Sequence, residues 1–296
     1  KKPVILVDNT LQAVLEDAAA KGTVPTFKSV LHRILNQVVR VRYVDANGNE
    51  AEINAANDRH ISETLAMIAA KVDELPDLPA SAIDEVRMRI EEAGFSCGEI
   101  TGRSHEIRNG RVVPRRDRDA VRIKNDFNSG KLDAVIINTA GATGIDLHAG
   151  ERFADQRPRV LQVLQGPAYV FREIQALFRI FRRGQTSNPE VEFHSTGLPA
   201  EVRLAAIRNR KLSRLTANTS ANRDSAFLAR NIPDILNPIG DTVISRYAEM
   251  RPDLLRKLHL VSESDGTTFL DKMNASNGFD DEPKSETEYS ANIFLS

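Results

Sequence analysis

The run Ala134-Val-Ile-Ile137 and the loop Thr139-Ala-Gly-Ala-Thr-Gly-Ile-Asp146 that follows it decide the fold class of this chain. The apolar, mostly β-branched run predicts a short buried strand. The small residues after it let backbone N–H groups approach an anion closely. Further along, the segment Gln175–Gln185 places Arg179 and Arg182 three residues apart on a predicted helix, where both guanidinium groups project from one face. A strand that leads into such a loop, followed by paired arginines, favours a phosphate-binding domain.

Strand and helix signals alternate on both sides of this stretch. Pro3–Val7 is a compact apolar run that ends at the polar residues Asp8-Asn9-Thr10, and a helix is predicted after it. The other predicted strands are Phe95–Ile100, Val160–Leu164 and Val191–Phe193, and the predicted helices include Ser81–Ala93, Asp119–Phe127 and Tyr169–Phe181. This alternation predicts an α/β fold with a mainly parallel sheet flanked by helices.

A predicted insertion of about residues 22–78 interrupts the alternation. It contains an apolar helical stripe from Phe27, extended runs around Asn47-Gly48 that favour a β-hairpin, and a helix over Ile61–Val72. We therefore predict an α/β domain over residues 1–199, a helical extension over 200–262 and an acidic tail or linker over 263–296. Between Glu263 and Glu288 the tail carries eight acidic residues and two basic ones.

Composition limits the classes of partner and compartment. The net charge is −1, so a nucleic-acid surface must come from local clustering. The stretch Arg103–Lys124 has eight basic and three acidic residues, and is either such a surface or a solvated loop. Cys97 is the single cysteine, which favours a reducing intracellular compartment, cytoplasm or nucleus, with a phage virion or an infected host cell as the alternative. No apolar run is long enough for a membrane span, and the isolated His148 and His194 predict no metal site.

Several segments resemble a known family when they are taken in order. They are Asp77-Leu-Pro-Ala-Ser-Ala-Ile-Asp84, Glu91-Glu-Ala-Gly-Phe95, Glu99-Ile-Thr-Gly-Arg103, Phe127-Asn-Ser-Gly-Lys131, Val135–Leu147, Gln156-Arg-Pro-Arg159, Gln175–Gln185 and Asn237-Pro-Ile-Gly-Asp241. Together they resemble the second RecA-like domain of superfamily 2 helicases of the strawberry-notch type, over roughly residues 3–258. The resemblance implies one motor domain of an ATP-dependent DNA helicase or translocase.

The resemblance also implies roles for residues at the nucleotide. Arg179 and Arg182 would be arginine fingers that reach the γ-phosphate of ATP, and Gln175 would help to position the nucleotide. Asp146, with Gly144, would lie at the ribose or the attacking water. ATP and Mg²⁺ would be held mainly by the first RecA-like domain of the same protein.

A second group of residues would contact the nucleic-acid strand, which is DNA in the leading interpretation and RNA in the alternative. The group comprises Asn9, Thr10, Thr101, Arg103, Thr139 and Gly141, which follow predicted strands.

Two departures from the family pattern keep a second hypothesis open. Phe178 stands where the arginine motif normally has Gly, and the chain has no Gly-x-x-x-x-Gly-Lys-Ser/Thr phosphate-binding loop. We therefore expect this chain alone to be inactive as an ATPase. The second hypothesis is a non-catalytic RecA-like scaffold or nucleic-acid-binding module in a phage or chromatin-associated assembly.

Overall fold

The computed structural model describes residues 1–44, 50–141, 143–167 and 169–220, together with residues 243, 246, 247 and 250–253. The chain divides into two compact units, Lys1–His194 and Ser195–Ser296. The turn at Asn47-Gly48, the segment Asn237–Asp241 and the predicted acidic tail lie outside the described residues.

Nine strands and seven α-helices are described, in an order that alternates along most of the chain. In chain order they are β1 (Lys2–Val7), α1 (Gln12–Lys21), α2 (Phe27–Val38), β2 (Arg40–Val44), β3 (Glu50–Asn54), α3 (Arg59–Asp73), α4 (Ala82–Glu92), β4 (Cys97–Ile100), β5 (His105–Arg108), β6 (Arg111–Pro114), α5 (Ala120–Ser129), β7 (Ala134–Ile137), β8 (Arg159–Gln165), α6 (Val170–Leu177), β9 (Glu190–Phe193) and α7 (Pro199–Ser220).

Five strands form one sheet in the order β4-β7-β1-β8-β9, and every neighbouring pair is parallel. The residues of β7 and most of those of β1 are fully buried, because helices cover both faces of a parallel sheet. This sheet with flanking helices confirms the predicted α/β class. Since the strands are parallel, their carboxyl ends meet at one edge of the sheet. That edge carries the loops that are predicted to bind nucleic acid.

Local chemistry explains where the flanking helices begin and end. The side chains of Ser81 and Asp119 accept hydrogen bonds from backbone N–H groups in the first turns of α4 and α5. Gly130 ends α5 in the left-handed conformation, with φ at 90°. The sequence predicted both helix starts and the stop at Gly130, although α5 continues two residues beyond the predicted end at Phe127.

The insertion leaves and rejoins the domain at neighbouring points, and Arg33 of α2 also lies 3.5 Å from Asp17 of α1. The N–H of Phe27 donates to the carbonyl of Leu78 at 3.2 Å, and Thr26 forms a β-bridge with Pro79, so the entry and exit of the insertion lie side by side. Within it, β2 and β3 pair in an antiparallel register, as predicted, and His32 of α2 lies 2.8 Å from Asp73 of α3.

One predicted helix is shorter than expected, and the correction affects the paired arginines. The helix predicted over Tyr169–Phe181 ends at Leu177. Beyond it the backbone tightens, with the N–H of Ile180 bonded to the carbonyl of Leu177, while the carbonyl of Arg179 accepts from the N–H of Leu147 at 2.9 Å. Because this tertiary hydrogen bond replaces helical ones, Arg179 and Arg182 lie in the turn after α6 and do not share a helix face.

A second hairpin, β5–β6, lies in the stretch that the sequence left as a basic surface or loop. Its strands pair in an antiparallel register, with Arg108 opposite Arg111. The turn residues Asn109 and Gly110 have φ values of 51° and 67°, the combination that a tight two-residue turn requires. The same Asn-Gly signal that predicted the first hairpin would have predicted this one.

A buried ionic cluster attaches this hairpin and α4 to the edge of the sheet. Glu99 on β4 accepts hydrogen bonds from Arg87, from Arg103 at 2.7 and 2.8 Å, and from Arg115 at 2.9 Å. Asp84 accepts from both Arg103 guanidinium ends at 2.6 and 2.8 Å. Removing one member of such a cluster leaves charges buried without a partner.

The charge of Glu99 makes the stability of this cluster dependent on pH. Burial alone would raise the pKa of Glu99, but hydrogen bonds and charge from Arg103, with the charges of Arg87 and Arg115, lower it to about 2. A folded-state pKa below the ordinary value of 4.5 contributes stability that is fully present above the unfolded pKa. That contribution is lost as the pH falls through the folded-state pKa.

We expect Glu99→Gln to lower the free energy of unfolding at pH 7 by about 3–5 kcal/mol, because the arginines lose their buried counter-charge. The difference between the variant and the wild type should shrink as the pH falls from about 5 to 2. Urea unfolding across that range measures both effects. Glu92→Gln, at an exposed position of α4, is the matched control and should change stability by less than about 0.5 kcal/mol. A Glu99 variant as stable as this control would contradict the role of the cluster.

Candidate functional site

The loop after β7 is held against the carboxyl ends of its two neighbouring strands. Thr139 donates through its hydroxyl to the Asp8 carboxylate, which follows β1, at 2.9 Å. The N–H of Gly141 donates to the side-chain oxygen of Asn138 at 2.7 Å. A Cβ at Gly141 would lie 2.6 Å from Cα of Thr101 and 2.7 Å from the carbonyl of Ile100. The loop therefore passes directly over the end of β4, where only glycine fits.

Asn9 and Thr10 extend this edge beside β8. The N–H of Asn9 donates to the side-chain oxygen of Gln165 at 2.9 Å, and the side chain of Asn9 accepts from the N–H of Leu11 at 3.0 Å. Leu11 is left-handed, with φ at 52°, a conformation that costs a non-glycine residue roughly 1–2 kcal/mol. Asn9, Thr139 and Gly141 are thus brought to one edge of the sheet, as the parallel topology requires.

Thr101 and Arg103 belong to the same edge, but their side chains turn inward. Arg103 is fully buried, and each of its three guanidinium nitrogens bonds to Glu99 or Asp84. The hydroxyl of Thr101 donates to Glu99 and accepts from Arg115 at 2.8 Å. In this conformation the two side chains hold the strand end in place, and neither presents its polar group to solvent.

The residues predicted for the nucleotide form a second group around Asp146. Arg182 lies 2.8 Å from one Asp146 oxygen, without hydrogen-bond alignment, and Arg152 lies 3.5 Å from the other. The side chain of Arg179 makes no hydrogen bond or ion pair with any described residue. Burial, together with the neighbouring charge of Arg182, lowers the pKa of Arg179, although Asp146 opposes that shift, and the guanidinium still stays protonated. One carboxylate among three guanidinium groups leaves a surplus of positive charge.

Leu147 connects this group to the sheet by both of its backbone polar groups. Its N–H donates to the carbonyl of Arg179 at 2.9 Å, and its carbonyl accepts from Nε of the fully buried Arg159 at 3.0 Å. Arg159 in turn contacts Asp155, which also pairs with Lys2 and Arg157. We call the turn after α6 that carries Arg179 and Arg182 the arginine turn. These hydrogen bonds fix its position relative to the loop after β7.

The remaining predicted residues contribute differently. Gln175 lies on α6, partly exposed, and its side chain makes no hydrogen bond within the described ranges. Gly144 has a φ of 78°, and a Cβ added there would meet no described atom within 4 Å. Glycine is therefore favoured at this position by the left-handed backbone conformation and not by lack of space. His148 is buried edge-on against Phe153, and burial lowers its pKa.

Three residues of the site were not predicted. Arg152 completes the charge around Asp146, Asn138 caps the loop, and Asp8 receives the Thr139 hydroxyl. A signal existed for Asn138 and Asp8, since each is the first polar residue after a buried strand. None existed for Arg152, whose position depends on the path of the chain between Asp146 and β8.

The parallel sheet, the loop at its carboxyl edge and the arginine turn define a helicase-like α/β domain. A family model described as the C-terminal domain on Strawberry notch homologue matches residues 90–276, more than half of the chain. The chain belongs to this family, as the ordered motifs predicted.

Named relatives agree over part of the chain. It is 33% identical to the mouse protein strawberry notch homolog 2 over 164 residues, 50% of this chain and 12% of that protein. It is 32% identical to the protein FORGETTER 1 of Arabidopsis thaliana over 161 residues, 50% of this chain and 12% of that protein. The fruit-fly protein strawberry notch is 31% identical over 160 residues, 49% of this chain and 9% of that protein. The chain thus spans about a tenth of the length of these relatives.

Among solved structures, the C-terminal part of the Fun30 ATPase domain matches with a TM-score of 0.31 and 18% identity. The match covers 41% of this chain and 34% of that one, and it is too weak to support a conclusion. No helix in the described part of the chain has both the length and the apolar composition that crossing a bilayer requires.

We expect Gly141→Ala to displace the loop and to lower the midpoint of thermal unfolding, because the added methyl group would collide with backbone atoms of Thr101 and Ile100. Overpacking of this kind costs roughly 1–3 kcal/mol. Gly102→Ala is the matched control, since a Cβ there would meet no described atom within 4 Å. Equal unfolding midpoints for the two variants would show that the close approach of the loop is not required.

Proposed function

We propose that this chain is the second motor domain of an ATP-dependent DNA helicase or translocase. The observation that carries the proposal is the Arg179 guanidinium, which has no partner among the described residues and lies beside Arg182 and Asp146. A half-buried cation that makes no hydrogen bond or ion pair with a described residue is suited to an anion supplied from outside the domain. The γ-phosphate of a nucleotide on the first RecA-like domain is such an anion.

The composition of the site fits ATP better than it fits a metal ion alone. Asp146 is already compensated by Arg182 and Arg152, so the group offers positive charge and no free carboxylate for Mg²⁺. ATP would supply the phosphoryl group, with Mg²⁺ held mainly by the first domain. Arg179 and Arg182 would stabilise the negative charge that develops on that group, and Asp146 would orient Arg182.

Nucleic-acid binding is proposed for the carboxyl edge of the sheet. Asn9, Thr10, Thr139 and Gly141 would contact the sugar-phosphate backbone of DNA, with RNA as the alternative. Thr101 and Arg103 would act by positioning that edge. Leu147 bonds to both the arginine turn and the buried Arg159, so movement of the arginines on hydrolysis would be transmitted to the loop that carries Thr139.

A second candidate function rests on Phe178. Its side chain is 55% exposed directly before Arg179, and a large apolar group there could hold a nucleotide-bearing partner away. The domain would then serve as a non-catalytic scaffold or nucleic-acid-binding module in a phage or chromatin-associated assembly.

We expect Arg179→Ala, in the complete protein that contains this chain, to reduce nucleic-acid-stimulated ATP hydrolysis by about 10³-fold or more, because a finger of this kind acts on the transition state. Affinity for single-stranded DNA should stay within about twofold of the wild type. Arg182→Ala should also reduce the rate. Steady-state ATPase assays and fluorescence anisotropy measure the two quantities.

Arg183→Ala is the matched control, because Arg183 is exposed in the same turn and has no assigned role. It should leave the rate within about twofold of the wild type. A rate that survives Arg179→Ala would reject the finger assignment. A wild-type protein that binds DNA without hydrolysing ATP would favour the scaffold.

A further inference from the structure

The β5–β6 hairpin concentrates positive charge at its turn. Arg108 and Arg111 lie directly opposite each other across the hairpin, and like charges in that arrangement repel. With Asn109, Val113, Pro114 and Arg116 they line an open hollow of about 560 Å³, which we call the arginine hollow. None of these six lining residues is acidic.

Most of this charge is not compensated inside the domain. Arg108 lies 3.1 Å from Glu106, but neither Arg111 nor Arg116 has a hydrogen bond or ion pair from its side chain to any described residue. By contrast, Arg115, which directly precedes Arg116, is buried and bonds to Glu99. One arginine of that adjacent pair therefore anchors the hairpin, and the other is left open to solvent.

The hairpin is a rigid support for these guanidinium groups. Its buried Glu106 accepts from Arg87 at 2.6 Å, and the N–H of Ile107 donates to Asp84 at 3.1 Å. The N–H of Arg115 donates to the carbonyl of Ser104 at 2.9 Å. Since the base of the hairpin is held in this way, the arginine hollow needs little ordering when it binds an anion.

The hairpin also adjoins the proposed nucleic-acid edge. Arg115 donates to the carbonyl of Thr101 at 3.2 Å and to its hydroxyl at 2.8 Å. A strand that lies over Thr139 and Gly141 therefore passes the end of β4, and the hairpin starts at His105, shortly after β4 ends at Ile100.

We propose that the arginine hollow binds the phosphodiester backbone of the same nucleic-acid strand, beyond the motor's own contacts. This inference rests on the proposed function. Guanidinium groups match phosphate oxygens in geometry, and a concave lining with three arginines among its six residues fits a flexible strand of phosphates. Because only phosphates are contacted, the hollow adds affinity and register without base preference.

The test uses the complete protein with Arg111→Gln and Arg116→Gln combined. Binding to fluorescent homopolymer DNA and RNA single strands is measured from about 50 to 200 mM salt. Each lost phosphate contact should reduce the salt slope by about 0.7 and the affinity near 0.15 M salt by about fourfold. Arg111→Lys with Arg116→Lys keeps the charge and should recover most of the slope.

Arg89→Gln is the control for loss of a surface arginine outside the hollow. Its side chain is 74% exposed on α4 and pairs with Glu85 at 2.6 Å, so this change should leave the slope unchanged. A double variant that behaves like this control, while the wild type binds both strands, overturns the arginine hollow and leaves the proposed function standing. A wild type that binds neither strand overturns both. If the double variant loses binding to acidic peptides or anionic vesicles but still binds the DNA and RNA strands, the proposal that the arginine hollow binds nucleic acid is overturned. Arg179→Ala separates the two sites, since it should reduce hydrolysis by about 10³-fold or more and keep the salt slope.

Discussion

The Asp155 carboxylate is the constraint on which the candidate site depends. It is buried with Lys2 at the start of β1 and Arg159 at the start of β8, and both cations lie over the ring of Phe127 from α5. Burial would raise its pKa, but hydrogen bonds from Arg157 and Lys2 lower it well below the usual range. The cluster thus joins two central strands and a helix through one charge. Through Arg159 it also fixes the carbonyl of Leu147, and with it the loop after β7, which carries Thr139 of one candidate group and Asp146 of the other.

This arrangement gives the domain two groups of candidate residues that backbone hydrogen bonds join to each other. The carboxyl edge exposes Asn9 beside the buried Thr139 and the Gly141 turn, while the arginine turn places Arg179 and Arg182 beside Asp146. The connections include the backbone hydrogen bonds of Leu147 and the bond from the N–H of Thr186 to the carbonyl of Ala149 at 2.8 Å, and neither donor N–H depends on the identity of its side chain.

Much of the fold could be predicted, because the signals were local. The apolar run of β7, the helix caps at Ser81 and Asp119, and the stop at Gly130 each depend on neighbouring residues alone. The paired arginines could not be placed in the same way. A helix through Phe181 was locally reasonable, but the carbonyl of Arg179 bonds to Leu147, which lies far earlier in the chain. The second hairpin was missed although Asn109-Gly110 indicated it, since its strands are short and rich in arginine.

The sequence by itself determined the fold class, the family and which residues carry the charge. Those properties follow from apolar periodicity and from motifs that keep their order. Only the tertiary structure decided which arginines are available to a ligand. Arg103, Arg115 and Arg159 are buried against carboxylates, whereas Arg111, Arg116 and Arg179 are not paired within the described residues. The physical reason is that a guanidinium group is identical in every such position, and its role is set by the carboxylates that distant segments bring to it.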